Sequence, residues 1–332
     1  MGLGVTVKDV AKAAGVSVAS VSRALNGHKN MAEDTRERIL GVATRMRYMP
    51  NGAARSLITK RTHTIGAVLP DLHGEFFSEL IRGMDSAARA RGLHLLVSSS
   101  HGSASEAGDV LRTLRGRVDG LLIMSPHADA DMLADNLPPG LPTVLMNTRV
   151  SGGNFPAISI DNYGGATAMM RHLVERGYRR IAFIAGPPNN FDADERLLGY
   201  RNALAELLPA QHEWVLPGNF SEESGYRAGM DIRANGALPQ AIFAANDMMA
   251  IGCLFALGEQ GINVPDDIAL TGFDDIPIAR YISPPLTTVR VRIADLGRRA
   301  LEELAALIEQ PDDDVAAPAS LGVEIVVRRS CS

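Results

Sequence analysis

The chain is poor in the residues that staple or anchor a protein. Two cysteines, Cys253 and Cys331, stand in 332 residues. That is too few for a disulfide framework and fits a reducing cytoplasm. No apolar run approaches the roughly eighteen residues that a membrane span requires. Lys8, Asp9 and Lys12 interrupt the start before a secretory pattern can form. Enzyme signatures are missing as well: no Gly-x-Ser-x-Gly elbow, no His-Glu-x-x-His, no P-loop and no dinucleotide fingerprint. His127, His172 and His212 carry no metal-like spacing. The expectation is a protein that is not an enzyme, with no metal, no cofactor and no membrane contact.

What the chain does have is a split charge. Residues 1–61 hold 11 Lys/Arg against 4 Asp/Glu, a formal +7, while the rest holds 22 against 34, a formal −12. A basic head suits a polyanion, and an acidic body lying along the same polymer would be repelled. The length allows two or three domains, and 46% hydrophobic residues can fill a large core.

Thr6-Val7-Lys8-Asp9 reads as a capping box, with Asp9 in place of the usual Glu. Val7, Val10, Ala11 and Ala14 make the inward stripe of a short helix, and Gly15 can end it in the left-handed conformation. Ser17 caps a second helix that runs to about Leu25, with Asn26-Gly27 as the stop. Two short helices joined by a glycine-containing turn is helix-turn-helix spacing. Val21 and Leu25 point inward, leaving Val18, Ala19, Ser22 and Arg23 near the outer face. Small side chains let a helix sit deep in a major groove. There Val18 and Ala19 meet thymine methyls or cytosine edges, Ser20 and Ser22 donate to phosphate or base, and Arg23 forks onto guanine. A third helix is expected over 32–46, with Ile39, Val42, Ala43 and Met46 inward.

The segment Asn51-Gly-Ala-Ala54-Arg55-Ser-Leu57 is too short for a helix that stands alone in water. Arg55 suits the minor groove. Leu57 suits either a wedge between base pairs or a plain linker whose leucine tucks against the body.

The run from Val5 to Gly27, then Thr35-Arg-Glu-Arg-Ile39, then Pro50-Asn51 and Ala54-Arg-Ser-Leu57, resembles the lactose/galactose repressor (LacI/GalR) family. The resemblance implies a homodimer with two heads in successive major grooves of a palindromic operator in double-stranded DNA. Paired hinge helices would open the minor groove, and Leu57 matches the leucine inserted at its centre. Thr6, Ser17, Val18, Ala19, Ser20, Ser22, Arg23, Asn26, Asn51, Ala54, Arg55 and Leu57 are the expected DNA contacts.

The body alternates strand and helix from Thr64 onward. Strands are expected near 64–70, 93–99, 119–124 and 142–146, then 179–185, 213–216, 241–245 and 267–272. Helices are expected near 78–91, 104–116, 128–136, 163–176, 193–207, 222–234 and 247–260. This is an α/β pattern of parallel sheets in two lobes, with a cleft at the carboxyl ends of the strands. Domain expectations are a head at 1–50, a hinge at 51–60 and a core at 61–332. Lobe one takes about 61–161 and 291–332, and lobe two about 162–290. Thr287–Arg290 is the expected crossing strand, 293–308 a helix and 323–328 a final strand. The tail shows no leucine heptads, so a dimer is the expected limit.

Asp71, Asn147, Asp161, Arg196, Asn246, Asp247 and Asp274 at the strand ends, with the Phe76 ring, suit a polyhydroxylated ligand. Carboxylates and amides accept from hydroxyls, a guanidinium donates in a fork and a ring covers an apolar sugar face. Asp247 also fits as a mere helix cap. The lobe pattern is similar to the family's effector domain and to periplasmic sugar-binding proteins. That resemblance implies sugar contacts at Arg196, Asp247 and Asp274, an aromatic platform at Phe220, and Phe76 in a closing segment. One departure is visible: Asp71-Leu-His-Gly-Glu-Phe-Phe77 replaces the commoner Asp-Leu-x-Asn-Pro-Phe-Phe, making the pocket-edge turn pliable and adding a charge.

The expected function is a cytoplasmic, nucleoid-associated repressor of carbohydrate genes, controlled by a sugar or sugar derivative. The alternatives are a purine or other non-sugar effector on the same fold, and a free sugar-binding protein.

Overall fold

The computed structural model describes residues 5–25, 31–48, 61–126, 133, 135–137, 139–148, 155–233, 238–310 and 318–331. It separates into two compact units, Met1–Thr62 and His63–Ser332. Asn26, Asn51, Ala54, Arg55 and Leu57 lie outside the described residues, as does most of the helix expected near 128–136.

The first unit is built from α1 (Val7–Ala14), α2 (Val18–Leu25) and α3 (Glu33–Arg45). The reciprocal capping box is present: the Thr6 hydroxyl side accepts from Asp9 N–H, and Asp9 Oδ2 accepts from Thr6 N–H at 2.9 Å. These bonds, the side-chain one above all, hold the Asp9 carboxyl below its ordinary range. Gly15 closes α1 at φ +63, a conformation that costs a side-chain-bearing residue dearly. Ser17 Oγ accepts from Ser20 N–H at 3.1 Å and starts α2. Val10, Val21 and Ile39 are fully buried where the three helices meet. Burial of such side chains contributes about 1.5–3 kcal/mol each. α3 starts on Ala32, which offers no side-chain cap.

The second unit holds two six-stranded sheets. Lobe one carries β1 (Thr64–Leu69), β2 (His94–Ser99), β3 (Gly120–Met124), β4 (Thr143–Met146), β5 (Ala157–Ile160) and β11 (Ala319–Leu321), in the order β11-β5-β4-β3-β1-β2. Lobe two carries β6 (Ile181–Ile184), β7 (Val215–Leu216), β8 (Ala241–Ala244), β9 (Ala269–Asp274), β10 (Thr287–Arg290) and β12 (Glu324–Val326), in the order β12-β10-β9-β8-β6-β7. Every pairing is parallel except β10 with β12. The helices are α4 (Glu75–Ala90), α5 (Ala104–Leu114), α6 (Asn162–Glu175), α7 (Phe191–Leu207), α8 (Glu222–Met230), α9 (Asp247–Glu259) and α10 (Ile293–Glu309). Central strands such as β3, β6 and β8 are buried along their whole length, which explains their unbroken apolar runs.

Three details depart from the sequence reading. Helix α4 starts three residues before 78, at Glu75. β5 and β11 are short strands that the periodicity did not reveal. The tail does not return whole to lobe one: α10 packs on β3, β4 and β5, but β12 adds antiparallel to the second sheet. Three-residue strands are too brief for a period-2 pattern, so tertiary pairing alone decides where they go.

In each sheet the chain order reverses beside the first strand, between β1 and β3 and again between β6 and β8. The crevice at the carboxyl ends of such strands is where open α/β sheets take ligands.

Candidate functional site

In the first unit, the start of α2 presents Ser17, Val18, Ala19 and Arg23 to solvent, with Val18 41% exposed. Arg23 lies back along its own helix, Nε donating to Ala19 O at 3.4 Å, a weak tie that a better acceptor outcompetes. Ser20 and Ser22 are half-buried. Thr6 is exposed, but its hydroxyl donates to Asp9 Oδ2 at 2.7 Å and so serves the cap first. An exposed helix start with small side chains and one guanidinium has the shape and chemistry to enter a major groove.

In the second unit, a cavity of about 170 Å³ opens between the lobes at the strand ends. Six of the expected residues line it: Asp71 and Phe76 from lobe one, Arg196, Phe220, Asn246 and Asp274 from lobe two. Asp71 closes its own turn by accepting from Leu72 and His73 N–H at 2.6 and 3.0 Å. Asn246 caps α9 by accepting from Met249 N–H at 2.9 Å, and its amide donates to Phe220 O at 3.0 Å. That bond pins the residue carrying the ring, whose backbone is at φ +71.

Arg196 is buried and already engaged. Its Nε donates to Asn162 Oδ1 at 2.8 Å, Nη1 donates to Ala245 O at 2.6 Å, and Nη2 lies 3.2 Å from Asp274 Oδ1. Its guanidinium carbon sits 3.8 Å from the Phe273 ring centroid. Asp274 Oδ1 is buried and lacks a well-formed hydrogen bond, its near polar neighbour being Arg196 Nη2, the other half of the ion pair. Burial pushes the Asp274 carboxyl up to about 7, with Arg196 pulling the other way. Asp274 lines the cavity, so its carboxylate has lone pairs within reach of a ligand donor.

Three expected residues turn elsewhere. Asp161 is exposed and caps α6 through Gly164 N–H at 2.9 Å. Asn147 accepts from Ile160 N–H at 3.1 Å, and its amide reaches Asp192 Oδ2 at 3.5 Å. Asp247 is fully buried behind the cavity wall. Its oxygens accept from Thr288 Oγ1 at 2.5 Å and Ile276 N–H at 2.9 Å. Burial, with Asp274 nearby, raises its carboxyl well above the ordinary range. Asp247 thus ties α9 to β10 and to the turn after β9, and it is not among the residues that line the cavity.

Sequence reasoning missed Asn190, Asp192 and Asn219, which also line the cavity, as does Glu75, the charge it had noted at the pocket edge. Asp192 was findable, since it sits four residues before Arg196 on one helix and therefore shares its face. It accepts from Asn162 Nδ2 at 2.7 Å, and burial raises its carboxyl despite Arg196. Cys253 is buried in α9 with its thiol pushed up to about 12, an inert apolar neighbour.

Residues 6–51 match the family described as bacterial regulatory proteins, lacI family, and residues 170–331 match a periplasmic binding protein-like domain. The HTH-type transcriptional repressor PurR of Erwinia tasmaniensis is 36% identical over 305 residues, covering 90% of this chain and 89% of the relative. The ribose operon repressor of Haemophilus influenzae is 32% identical over 312 residues, covering 93% of each. A crystal structure of the lac repressor dimer bound to operator and the anti-inducer ONPF superposes with a TM-score of 0.89 at 28% identity, covering 99% of both chains. With its DNA-reading head and effector-type core, the chain belongs to the lacI family of bacterial transcriptional regulators.

Proposed function

We propose that the protein is a dimeric repressor that grips a palindromic operator and is controlled by a sugar or sugar derivative in the interlobe cleft. The observation that carries the effector reading is the buried Asp274 carboxylate, paired with Arg196 and lining the cavity together with Asp192, Asn246 and Asn190. Clustered acceptors call for a ligand rich in hydroxyl donors, and the Phe220 ring supplies an apolar surface for a sugar face. The kinship with a ribose operon repressor supports that class.

Val18, Ala19 and Arg23 read bases, while Ser17, Ser20 and Ser22 position the head on phosphates. Thr6 contributes through its cap at the same helix end. Asn26, Asn51, Ala54, Arg55 and Leu57, which lie outside the described residues, complete the DNA contact. Each head alone binds weakly, and dimerisation makes the second contact effectively intramolecular. Exposed Tyr281 (76%) and Phe255 (64%) offer apolar surface for a second copy. Among the described residues no helix is long and apolar enough to cross a membrane. The chain acts in the cytoplasm on the nucleoid and turns over no substrate.

The test is operator binding by fluorescence anisotropy against a panel of mono- and disaccharides, using the palindrome upstream of its own gene. A sugar that shifts operator affinity at least tenfold supports the reading; a flat response across the panel rejects it. A flat heterocycle such as a purine base is the second reading, favoured by the Phe76 and Phe220 rings at the cleft. Adding free bases to the same panel separates the two.

A further inference from the structure

A polar tie links the lobes at the cavity rim, in addition to the long Asn147–Asp192 contact at 3.5 Å. Glu75, the first residue of α4 in lobe one, accepts a hydrogen bond at 2.9 Å from the backbone N–H of Ile278 in lobe two. The donor lies in the short 3-10 turn Pro277–Arg280 that follows β9. That turn has no acceptor of its own for this N–H. Ile276, which opens it, carries no side-chain oxygen, and Pro277 carries no N–H, so Ile278 holds the first donor in need of a partner. The partner comes from the other lobe, 203 residues away in sequence.

The residue before Glu75 makes the reach possible. Gly74 opens α4 at φ +90, a backbone region that side-chain-bearing residues rarely adopt. No side chain caps α4 there, so the helix entry is set by the glycine alone and brings the Glu75 carboxylate to the cavity rim. Gly74 and Glu75 therefore act as a unit. One sets the angle and the other spans the gap.

We propose that Glu75 is an interlobe clasp: its bond to Ile278 N–H holds the two lobes in the present arrangement. The inference rests on reading the cleft as the effector site, because only there does lobe spacing matter to regulation. A ligand that presents a hydroxyl or amine donor at the mouth competes for the same carboxylate and unties the lobes. A ligand without a donor there leaves the tie in place. Glu75 is in this sense a specificity residue of the mouth, and a positioning residue for the 3-10 turn.

The test uses the full-length protein with no ligand added. Hydrogen exchange is followed at single-residue resolution across 275–282 in the wild type, Glu75→Gln and Glu75→Ala. Loss of a charge-assisted hydrogen bond is expected to speed exchange of the Ile278 amide about tenfold in Glu75→Ala. Glu75→Gln, which keeps a neutral acceptor, should fall between. Spin labels on Arg91→Cys and Asp266→Cys, exposed sites in the two lobes, report lobe spacing; native Cys253 and Cys331 are buried. A broader distance distribution in Glu75→Ala supports the clasp. Unchanged exchange at Ile278, or an unchanged distribution, overturns it. Should Glu75→Ala fail to fold, Glu75→Gln decides alone by the same exchange criterion. Both readouts are taken without effector, so they stand or fall separately from the sugar panel.

Discussion

Replacing Arg196 by methionine keeps a long unbranched side chain over the Phe273 ring and removes the charge. The variant loses the donors to Asn162 Oδ1 and Ala245 O, and Asp274 loses the cation 3.2 Å away. Two effects then compete. Two lost hydrogen bonds cost about 1–3 kcal/mol. A stranded buried carboxylate raises the deficit to about 3–5 kcal/mol. Asp274 can escape the second cost by taking up a proton, since burial already holds it at about 7 and loss of Arg196 raises it further. The escape is free at pH 6 and expensive at pH 8. The expected destabilisation of the His63–Ser332 unit is therefore about 1–3 kcal/mol at pH 6 and about 1.4 kcal/mol more at pH 8, the linkage of one proton over the unit of pH above 7.

Urea unfolding monitored by circular dichroism at both pH values measures this directly. Adding Asp274→Asn to the variant removes the titrating group, so the double variant's stability should lose the pH dependence that Asp274 gives the wild type and the single variant. At pH 8 it should regain about 1–3 kcal/mol over the single variant, a coupling of the size expected for residues in contact. An equal deficit of Arg196→Met at pH 6 and 8 would refute the reasoning, as would a double variant whose losses simply add.

The remaining expectations are shorter. Arg23→Ala should weaken operator binding by about 1–3 kcal/mol while leaving bulk DNA binding nearly intact, as compared by anisotropy on operator and random duplexes; equal losses on both remove its base-reading role. For Asp274 the folded carboxyl lies above the unfolded value of about 3.9, so the stability it contributes when neutral is lost as pH rises from about 4 to 7. A hydroxyl donated to this carboxylate favours the ionised form, so effector affinity should rise between pH 6 and 8 with proton release, read by calorimetry in two buffers; a falling affinity contradicts the contact. Asp247→Asn should lower the unfolding midpoint, because one of the two donors from Thr288 and Ile276 goes unpaired, yet leave effector affinity intact. A stable variant that has lost its effector response would return Asp247 to the ligand.

The head was readable because its determinants are local. Thr6 and Asp9 are three residues apart, Gly15 follows the helix it ends, and the buried stripe repeats at helical spacing. The body was readable as an alternation, since fully buried strands leave unbroken apolar runs and glycine-rich turns separate them. The site was readable only in part. Strand-end polar residues were legible as chemically apt, and most of those named line the cavity, but sequence does not say which way a carboxylate turns. Asp247 and Asp161 were absorbed by N–H and hydroxyl donors supplied by folding, and for Asp247 those donors lie 29 and 41 residues downstream. Glu75 stood out as a departure in the turn after β1, yet its partner is in the other lobe. No local pattern could have named Ile278.

The distribution of polar groups around the cleft constrains how an effector can act. Lobe two supplies Asn190, Asp192, Arg196, Asn246 and Asp274, whereas lobe one supplies Asp71, His73 and Glu75 beside the Phe76 ring. A ligand bonded to lobe two alone would bind and change nothing, because its affinity would be the same in every lobe arrangement. Moving a two-state balance from 99:1 to 1:99 takes about 5.5 kcal/mol of differential binding. At about 1–1.5 kcal/mol per hydrogen bond, four or more contacts must differ between the arrangements. Those contacts have to engage lobe one. Changes at Asp71, His73 and Glu75 should therefore alter the size of the regulatory response more than the affinity for effector, and changes at Asn190 and Asp192 the reverse. Titrating operator release and effector binding separately for one variant of each group separates the two parameters, and equal effects on both from either group would show that the lobes move as one body.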